Sequence, residues 1–176
     1  VNVCSNVYSK ANAPVYTIVL TRTAALLHDI AKPSCFTLDD NGIGHFYGHA
    51  EKGALIALEV MKRLRYSNDE IEKIQYLIMK HDATINPTKK SVRKNLSSTP
   101  NQDEDLFVML LELINADRLD HTSYELMNIE EVKSIVKQIK EANECIKLAD
   151  LSVNGYDLIE LGLSGKEIGS TLNYLL

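Results

Sequence analysis

Hydrophobic residues recur at helical spacing along most of the chain, and this pattern predicts an all-α protein. The first long apolar segment runs from about residue 15 to residue 30, and it is stopped by Pro33, which cannot continue a helix. Residues 34–47 carry turn-forming residues between short extended pieces. Later helices are predicted at about 48–65, from Ser67 onward, at about 88–96, 105–121 and 129–148, and in a compact unit near the C-terminus.

Polar residues at the predicted helix starts sharpen these boundaries. Ser67 with Glu70 forms the capping-box pattern, and Ser164 with Glu167 repeats it before the last helix. Asp103 opens an acidic run that suits the positive end of a helix dipole. The predicted core faces are Ile71, Ile74, Leu77 and Ile78 in the helix that begins at Ser67, and Gly53, Ile56, Ala57, Val60 and Leu64 in the helix at 48–65.

Composition restricts the class of protein. The 176 residues are 45% hydrophobic and 24% charged, which is typical of one compact domain with a small appendage at most. Nineteen basic against 24 acidic residues give a formal net charge of −5, which argues against a dedicated nucleic-acid coating protein. Cys4, Cys35 and Cys145 form no CxxC pair, so we expect a reducing cytoplasm. No apolar run reaches the roughly 20 residues of a membrane span.

Several polar residues interrupt the apolar faces and are the candidate site. His28 and Asp29 directly follow an apolar helix, while His49 and His81 lie in register with the apolar stripes of two other helices. Asp117 lies one helical turn beyond Leu113, where a buried carboxylate is costly unless it is paired, protonated or metal-bound. We therefore expect these side chains to converge on one pocket. The alternative is an ordinary helix C-terminus at residues 28–29 and separate, hydrogen-bonded core histidines.

Such a set of imidazole and carboxylate groups suits a divalent metal: Mg, Mn, Zn, Ni, Co or Fe. The chemistry that it supports is metal-assisted hydrolysis, because a cation activates bound water and neutralises charge on a phosphoryl oxygen. Lys32 follows Asp29 by three residues and could reach a substrate phosphate. Its alternative role is that of a solvated lysine that favours the helix dipole.

The run of residues 24–33, Ala-Ala-Leu-Leu-His-Asp-Ile-Ala-Lys-Pro, resembles the HD-domain superfamily of metal-dependent phosphohydrolases. Further motifs look like the HD region of bacterial tRNA nucleotidyltransferases, the CCA-adding enzymes and their poly(A) polymerase relatives. The resemblance covers about residues 16–176. The motifs that carry it are Gly44–His49, Glu51–Ala54, His81–Asp82, Pro87–Lys90 with Arg93, Asn115–Asp117, Leu148–Gly162, Gly165–Gly169 and Leu172–Asn173.

The resemblance implies an HD-domain-like helical bundle over residues 1–145 and a short helical C-terminal tail over 146–176 that packs on it. It also implies metal-dependent phosphoester hydrolysis, in which Asp29 and Lys32 serve catalysis. The expected metal site is His28, Asp29 and Asp117, joined by His49 and His81 as further ligands or phosphate contacts.

Three features set this chain apart from the family pattern. No histidine precedes His28, although HD enzymes carry a first metal histidine on the preceding helix, and Val1–Val3 resembles the sequence that follows that histidine. We therefore expect the natural chain to extend upstream, into a nucleotidyltransferase domain. Asp103–Asp105 is the only Asp-x-Asp, and it lacks a Gly-Ser partner, so we expect no nucleotide-transferring head in this chain. Ala31 stands where the family usually has glycine.

The resemblance makes tRNA or a nucleotide phosphoester the expected partner. A basic cluster without an interleaved acid is the candidate tRNA contact, and its alternative is a solvated helix face. The leading hypothesis is the HD portion of a CCA-adding-type protein. The alternatives are a non-catalytic tRNA-binding or architectural module with a vestigial metal site, and a free-standing HD nucleotide phosphohydrolase. The candidate tRNA contact named above, the basic cluster, consists of Lys89, Lys90, Arg93 and Lys94.

Overall fold

The computed structural model describes residue 3 and residues 14–119, 126–142 and 144–176. The chain forms two compact units: residues 1–84 with 99–129, and residues 85–98 with 130–176. The helices are α1 Val15–Leu27, α2 Lys32–Cys35, α3 His49–Arg63, α4 Asn68–Lys80, α5 Lys89–Ser97, α6 Glu104–Arg118, α7 Ile129–Glu141, α8 Gly155–Glu160 and α9 Lys166–Leu175.

The all-α prediction is confirmed. Between α2 and α3, strands β1 (Thr37–Leu38) and β2 (Gly44–His45) pair antiparallel, and they are the only strands in the described part of the chain. Single turns of 3₁₀ helix cover Pro100–Gln102 and Leu148–Asp150. None of the described helices is long and apolar enough to cross a membrane.

Helix α4 lies at the centre of the first unit, where it packs against α1, α3 and α6. Its predicted stripe is confirmed, because Ile71, Ile74, Leu77 and Ile78 are all buried. The predicted capping box is also present: the Ser67 side chain accepts from the Glu70 amide, and the Glu70 carboxylate accepts from the Ser67 amide. Local polar chemistry and apolar spacing therefore fix both the start of α4 and its buried face.

The buried face of α3 agrees with the predicted one at Gly53 and Ala57 and differs from it at other positions. Leu64, which we placed on that face, is 62% exposed, while Met61 is fully buried. The other buried residues of α3 are small: Ala50, Gly53, Ala54 and Ala57. Small side chains let two helix backbones approach closely, so this face turns toward α4 although its residues contribute little to the apolar pattern.

Helix α6 begins as predicted, because the Asp103 side chain accepts a hydrogen bond from the Leu106 amide. Near the other end of α6, the Asn115 side chain forms hydrogen bonds with the backbone of the segment that follows the helix. The Asn115 amide nitrogen donates to the Met127 carbonyl over 2.7 Å, and the Met127 amide donates to the Asn115 side-chain oxygen over 2.8 Å. One side chain thus satisfies both backbone polar groups of a buried residue.

In the second unit, α8 and α9 pack against each other. Asn154 caps α8 through hydrogen bonds from the amides of Tyr156 and Asp157. The capping box predicted at Ser164 is wrong, because Gly165 is the residue before α9 and no side chain caps that helix. Gly165 has a φ of 54°, a conformation that glycine adopts without steric strain. The boundary between the predicted helical bundle and the predicted C-terminal tail, at residues 145 and 146, remains a prediction.

We expect Asn115→Ala to lower the free energy of unfolding by about 1–3 kcal/mol, because it leaves both polar groups of the buried Met127 backbone without their partner. Asn173→Ala is the matched control, since this exposed helical asparagine bonds only the Gly169 carbonyl four residues earlier. Urea denaturation at constant pH measures both variants. Equal stability of the two would show that the Asn115 bonds contribute nothing beyond a surface bond.

Candidate metal centre

The ends of four helices bring the candidate ligands together in the first unit. His28 follows the last residue of α1, and His81 follows the last residue of α4. His49 is the first residue of α3, and Asp117 lies in the last turn of α6. Side chains at helix ends can point into the space that the packed helices enclose without breaking helical hydrogen bonds.

Each of the three histidines is oriented by its own backbone. The Nδ1 atoms of His28, His49 and His81 lie 2.8, 2.8 and 2.7 Å from the carbonyl oxygen three residues earlier in the chain. A carbonyl only accepts hydrogen bonds, so Nδ1 carries the hydrogen in all three rings. In the neutral rings the lone pair is therefore on Nε2, which is the arrangement of metal-binding histidines.

His28 lies between two carboxylates. Its Nε2 atom is 3.2 Å from an oxygen of Asp29 and 3.3 Å from an oxygen of Asp117. The His81 ring packs edge-on against the His28 ring with 4.9 Å between their centroids, and its Nε2 is 3.7 Å from Asp29. Ligand atoms of His28, Asp29 and His81 all lie within 4.8 Å of one another, a spacing that one cation can bridge.

A second group shares His81 with the first. The Nε2 atoms of His49 and His81 are 3.3 Å apart, and they lie 3.2 and 3.4 Å from the carboxylate of Asp82. His49 also lies 3.6 Å from Asp29. The structure thus brings together all five residues predicted as ligands. Asp82 was missing from that set, although its place in a second His-Asp pair was a sequence signal for it.

The charges of this centre stabilise one another. Burial alone would disfavour a charged His28, but the carboxylates of Asp117 and Asp29 raise its pKa to about 10. The His28 imidazole in turn lowers the pKa of Asp117. Burial opposes ionisation of Asp29, yet His28 and Lys32 hold its pKa well below its usual range. His81 differs, because burial lowers its pKa and keeps it neutral.

The residues fit a divalent cation. Within the described residues, Oδ1 of Asp29 is a buried atom without a hydrogen-bond partner, and Nε2 of His28 has the carboxylates of Asp29 and Asp117 as its ion-pair partners. The Nε2 atoms of His49 and His81 face each other across 3.3 Å, so they need a proton or a cation between them. A cation would satisfy these atoms at once, and mixed imidazole and carboxylate donors suit a transition metal or Mg²⁺.

Lys32 also reaches the centre. Its ammonium lies 2.7 Å from an oxygen of Asp29 and 5.8 Å from the centroid of the Phe46 ring. Together with His81, Asp117 and Arg118, it lines a cavity of about 420 Å³. Positive charge therefore borders the space into which the cluster opens. Lys32 is the first residue of the short helix α2 and lies five residues after the end of α1.

Sequence comparisons identify the family of the chain. A sequence model of the HD domain matches residues 17–151, which is most of the chain. The chain belongs to the HD domain family. The CC-adding tRNA nucleotidyltransferase of Thermus thermophilus is 34% identical over 99 residues, and the A-adding tRNA nucleotidyltransferase of Deinococcus radiodurans is 30% identical over 101 residues.

These alignments cover 56% and 57% of the chain but only 22% of the length of either relative. The chain thus spans a fraction of the curated relatives that it matches. No solved structure gives a significant match.

The basic cluster of this HD-domain chain lies in the second unit, and it is not purely cationic because an acidic residue packs against it. Lys89 is 2.6 Å from one oxygen of Glu144, and Arg93 pairs with the other oxygen and donates to the Leu176 carbonyl. Lys90 and Lys94 are exposed. The sequence suggested a cluster without an acid, but folding brings Glu144 to it from 51 residues away.

Gly53 of α3 packs closely against His28 and Ile78, next to the candidate metal centre. A Cβ atom at residue 53 would lie 3.4 Å from the His28 carbonyl oxygen and 3.5 Å from the Ile78 side chain. These are ordinary contacts, so Gly53→Ala should keep or raise stability by up to about 1 kcal/mol, because alanine favours helix. Gly53→Leu should lower it by about 1–3 kcal/mol through overpacking. Urea denaturation distinguishes the two, and equal stability would contradict close packing here.

Proposed function

We propose that this chain is the HD-domain portion of a tRNA nucleotidyltransferase-like protein and that its histidine and aspartate cluster hydrolyses phosphoesters with a divalent metal. The convergence of three Nε2 atoms with the Asp29, Asp82 and Asp117 carboxylates supports the proposal most strongly. A buried Asp29 oxygen without a hydrogen-bond partner is costly in an interior that only needs to be filled.

The residues of the cluster divide into two ligand groups. His28 and Asp29, with Asp117 or His81, would hold one cation, and His49 and His81 with Asp82 would hold a second or contact phosphate. A bound cation lowers the pKa of water and neutralises charge on a phosphoryl oxygen. The backbone carbonyls of Ala25, Phe46 and Ile78 fix the direction in which each Nε2 points.

Asp29 and Lys32 are the proposed catalytic residues of the chain itself. The Asp29 carboxylate stays ionised because His28 and Lys32 depress its pKa, so it can accept a hydrogen bond from a water at the centre. The Lys32 ammonium is paired with Asp29 and lies at the wall of the cavity beside Asp117. Its three donors allow it to bind a phosphate oxygen while it retains that pair.

tRNA is the proposed partner, because the names of both relatives describe tRNA nucleotidyltransferases. Nucleotide transfer would then depend on an upstream domain, and residues 146–176 would act as a packing tail. Lys90 and Lys94 are the cluster residues best placed for a phosphate contact, since Lys89 and Arg93 already bind Glu144. A cytoplasmic location stays a prediction, consistent with free Cys35 and Cys145.

A non-catalytic tRNA-binding or architectural module is the second candidate. The ion pairs of the centre favour this candidate, because protonated His28 can bind Asp29 and Asp117 without a metal. A free-standing HD nucleotide phosphohydrolase is a third candidate, and the similarity to tRNA nucleotidyltransferases argues against it. Hydrolysis assays separate these candidates.

We expect the chelator-treated protein to regain hydrolysis of bis(p-nitrophenyl) phosphate and nucleoside monophosphates with one of Mg²⁺, Mn²⁺, Zn²⁺, Ni²⁺ or Co²⁺. Asp29→Asn should reduce kcat/KM at least about 100-fold, because it removes a charged ligand. Glu59→Gln is the matched control, since it removes an exposed carboxylate of α3 that pairs with Lys62. Equilibrium dialysis measures metal retention in parallel. Metal retention without hydrolysis by the full natural protein would leave the architectural candidate, and absence of both would overturn the metal site.

We expect Lys90→Ala with Lys94→Ala to weaken tRNA binding and to reduce the slope of log K against log salt by about 1–2, because each phosphate contact releases counterions. Lys133→Ala with Lys137→Ala is the matched control, as these two lysines are also one helical turn apart and belong to α7. Filter binding over a range of salt concentrations measures both. An unchanged slope in the first pair would contradict an RNA contact by α5.

A further inference from the structure

An open cleft borders the metal centre on the side of the β1–β2 hairpin. It has a volume of about 830 Å³, which is the size of typical sites for small molecules. The hairpin residues that follow β2 form one wall, and the end of α4 forms the other. The residues that the argument uses are His45, Phe46, Tyr47, His49, Lys80 and Asp82.

Two flat rings stand parallel on the hairpin side of this cleft. The rings of His45 and Tyr47 are stacked with 5.0 Å between centroids and 11° between planes. Tyr47 is 76% exposed, so most of its ring faces solvent although tyrosine is a large and partly apolar side chain. An exposed aromatic ring beside a concave site is a surface on which a planar ligand can stack.

The ring pair is held in place by the hairpin. The Nε2 atom of His45 lies 3.0 Å from a carboxylate oxygen of Asp39, and the other Asp39 oxygen accepts from the amides of Asn41 and Ile43. One aspartate thus fixes both the turn and the imidazole. Because the ring that supports Tyr47 is fixed, a ligand would find the stacking surface already formed, which lowers the entropy lost on binding.

The cleft is continuous with the candidate metal centre. His49 and Asp82 line it, and both belong to the second ligand group described above. Asp82 and Phe46 also line the 420 Å³ cavity that contains Lys32 and Asp117. The rings and the groups that would hold a phosphate therefore line the same cleft, and only Gly48 separates Tyr47 from His49 in the chain.

We propose that Tyr47, supported by His45, forms a subsite that stacks the base of a nucleotide whose phosphate lies at the His49 side of the cleft. This inference rests on the proposed function, since it names the substrate class of the same centre. A nucleotide combines the flat base that fits the ring with the phosphate that fits the metal ligands and Lys80. Glu51, the other acidic residue besides Asp82 in the lining, repels phosphate, whereas Lys80 attracts it.

The subsite predicts that a base adds affinity. Adenosine 5′-monophosphate should bind the metal-loaded protein at least about tenfold more tightly than ribose 5-phosphate, because base–aromatic stacking contributes that much per base. A 2-aminopurine ribonucleotide should lose fluorescence on binding. Tyr47→Ala should remove the tenfold preference and the fluorescence loss, whereas Tyr47→Phe should retain both. Tyr174→Ala is the matched control, because Tyr174 is 88% exposed and lies on α9 in the second unit.

The outcomes separate this subsite from the proposed hydrolysis. A protein that binds the nucleotide in preference to ribose 5-phosphate through Tyr47 but hydrolyses no phosphoester retains the subsite and loses the proposed function. A protein that hydrolyses phosphoesters but binds the two ligands equally overturns the subsite alone. Equal loss of affinity in Tyr47→Ala and Tyr174→Ala, or loss of the preference in Tyr47→Phe, would also overturn it.

Discussion

The polar centre of the first unit depends on one hydrogen bond that is made three times. Each imidazole donates its Nδ1 hydrogen to a carbonyl of its own chain segment, three residues back, and this fixes both the tautomer and the direction of the ring. Without that bond the rings could rotate about their side-chain torsions. With it, three Nε2 atoms point inward and the carboxylates of neighbouring helices arrange around them.

The helical framework supports this arrangement because the ligands lie at helix ends. A mid-helix histidine has no free carbonyl within its own turn, whereas the last carbonyls of a helix lack a partner and can accept from a side chain. His28 and His81 use this property at the ends of α1 and α4. The small buried residues of α3, Gly53 among them, bring His49 close enough to complete the group.

Sequence reasoning succeeded where the signal was local or periodic. The cap at Ser67, the acidic start of α6 and the stripe of α4 follow from residues within two helical turns. The convergence of the ligand residues also followed, because a polar side chain on an apolar face needs a buried partner. The stacked rings of the hairpin left no comparable periodic signal.

Long-range pairing and small-residue packing could not be predicted in this way. Glu144 neutralises part of the basic cluster from a distant position in the chain, and no pattern within α5 indicates it. Part of the buried face of α3 was misplaced because alanine and glycine carry a weak hydrophobic signal, although their size allows the closest helix contact. Ser164 failed as a cap because Gly165 adopts the conformation that begins α9.

The hairpin between α2 and α3 and the histidine and aspartate cluster differ in how much substitution their packing allows. Its exposed residues, such as Leu38 and Ile43, do not belong to the buried core, so substitutions there leave the packed helices intact. The ligand residues are constrained by burial and by one another. The cleft wall that the hairpin forms can therefore change its side chains while the packed helices hold the cluster at its base in place.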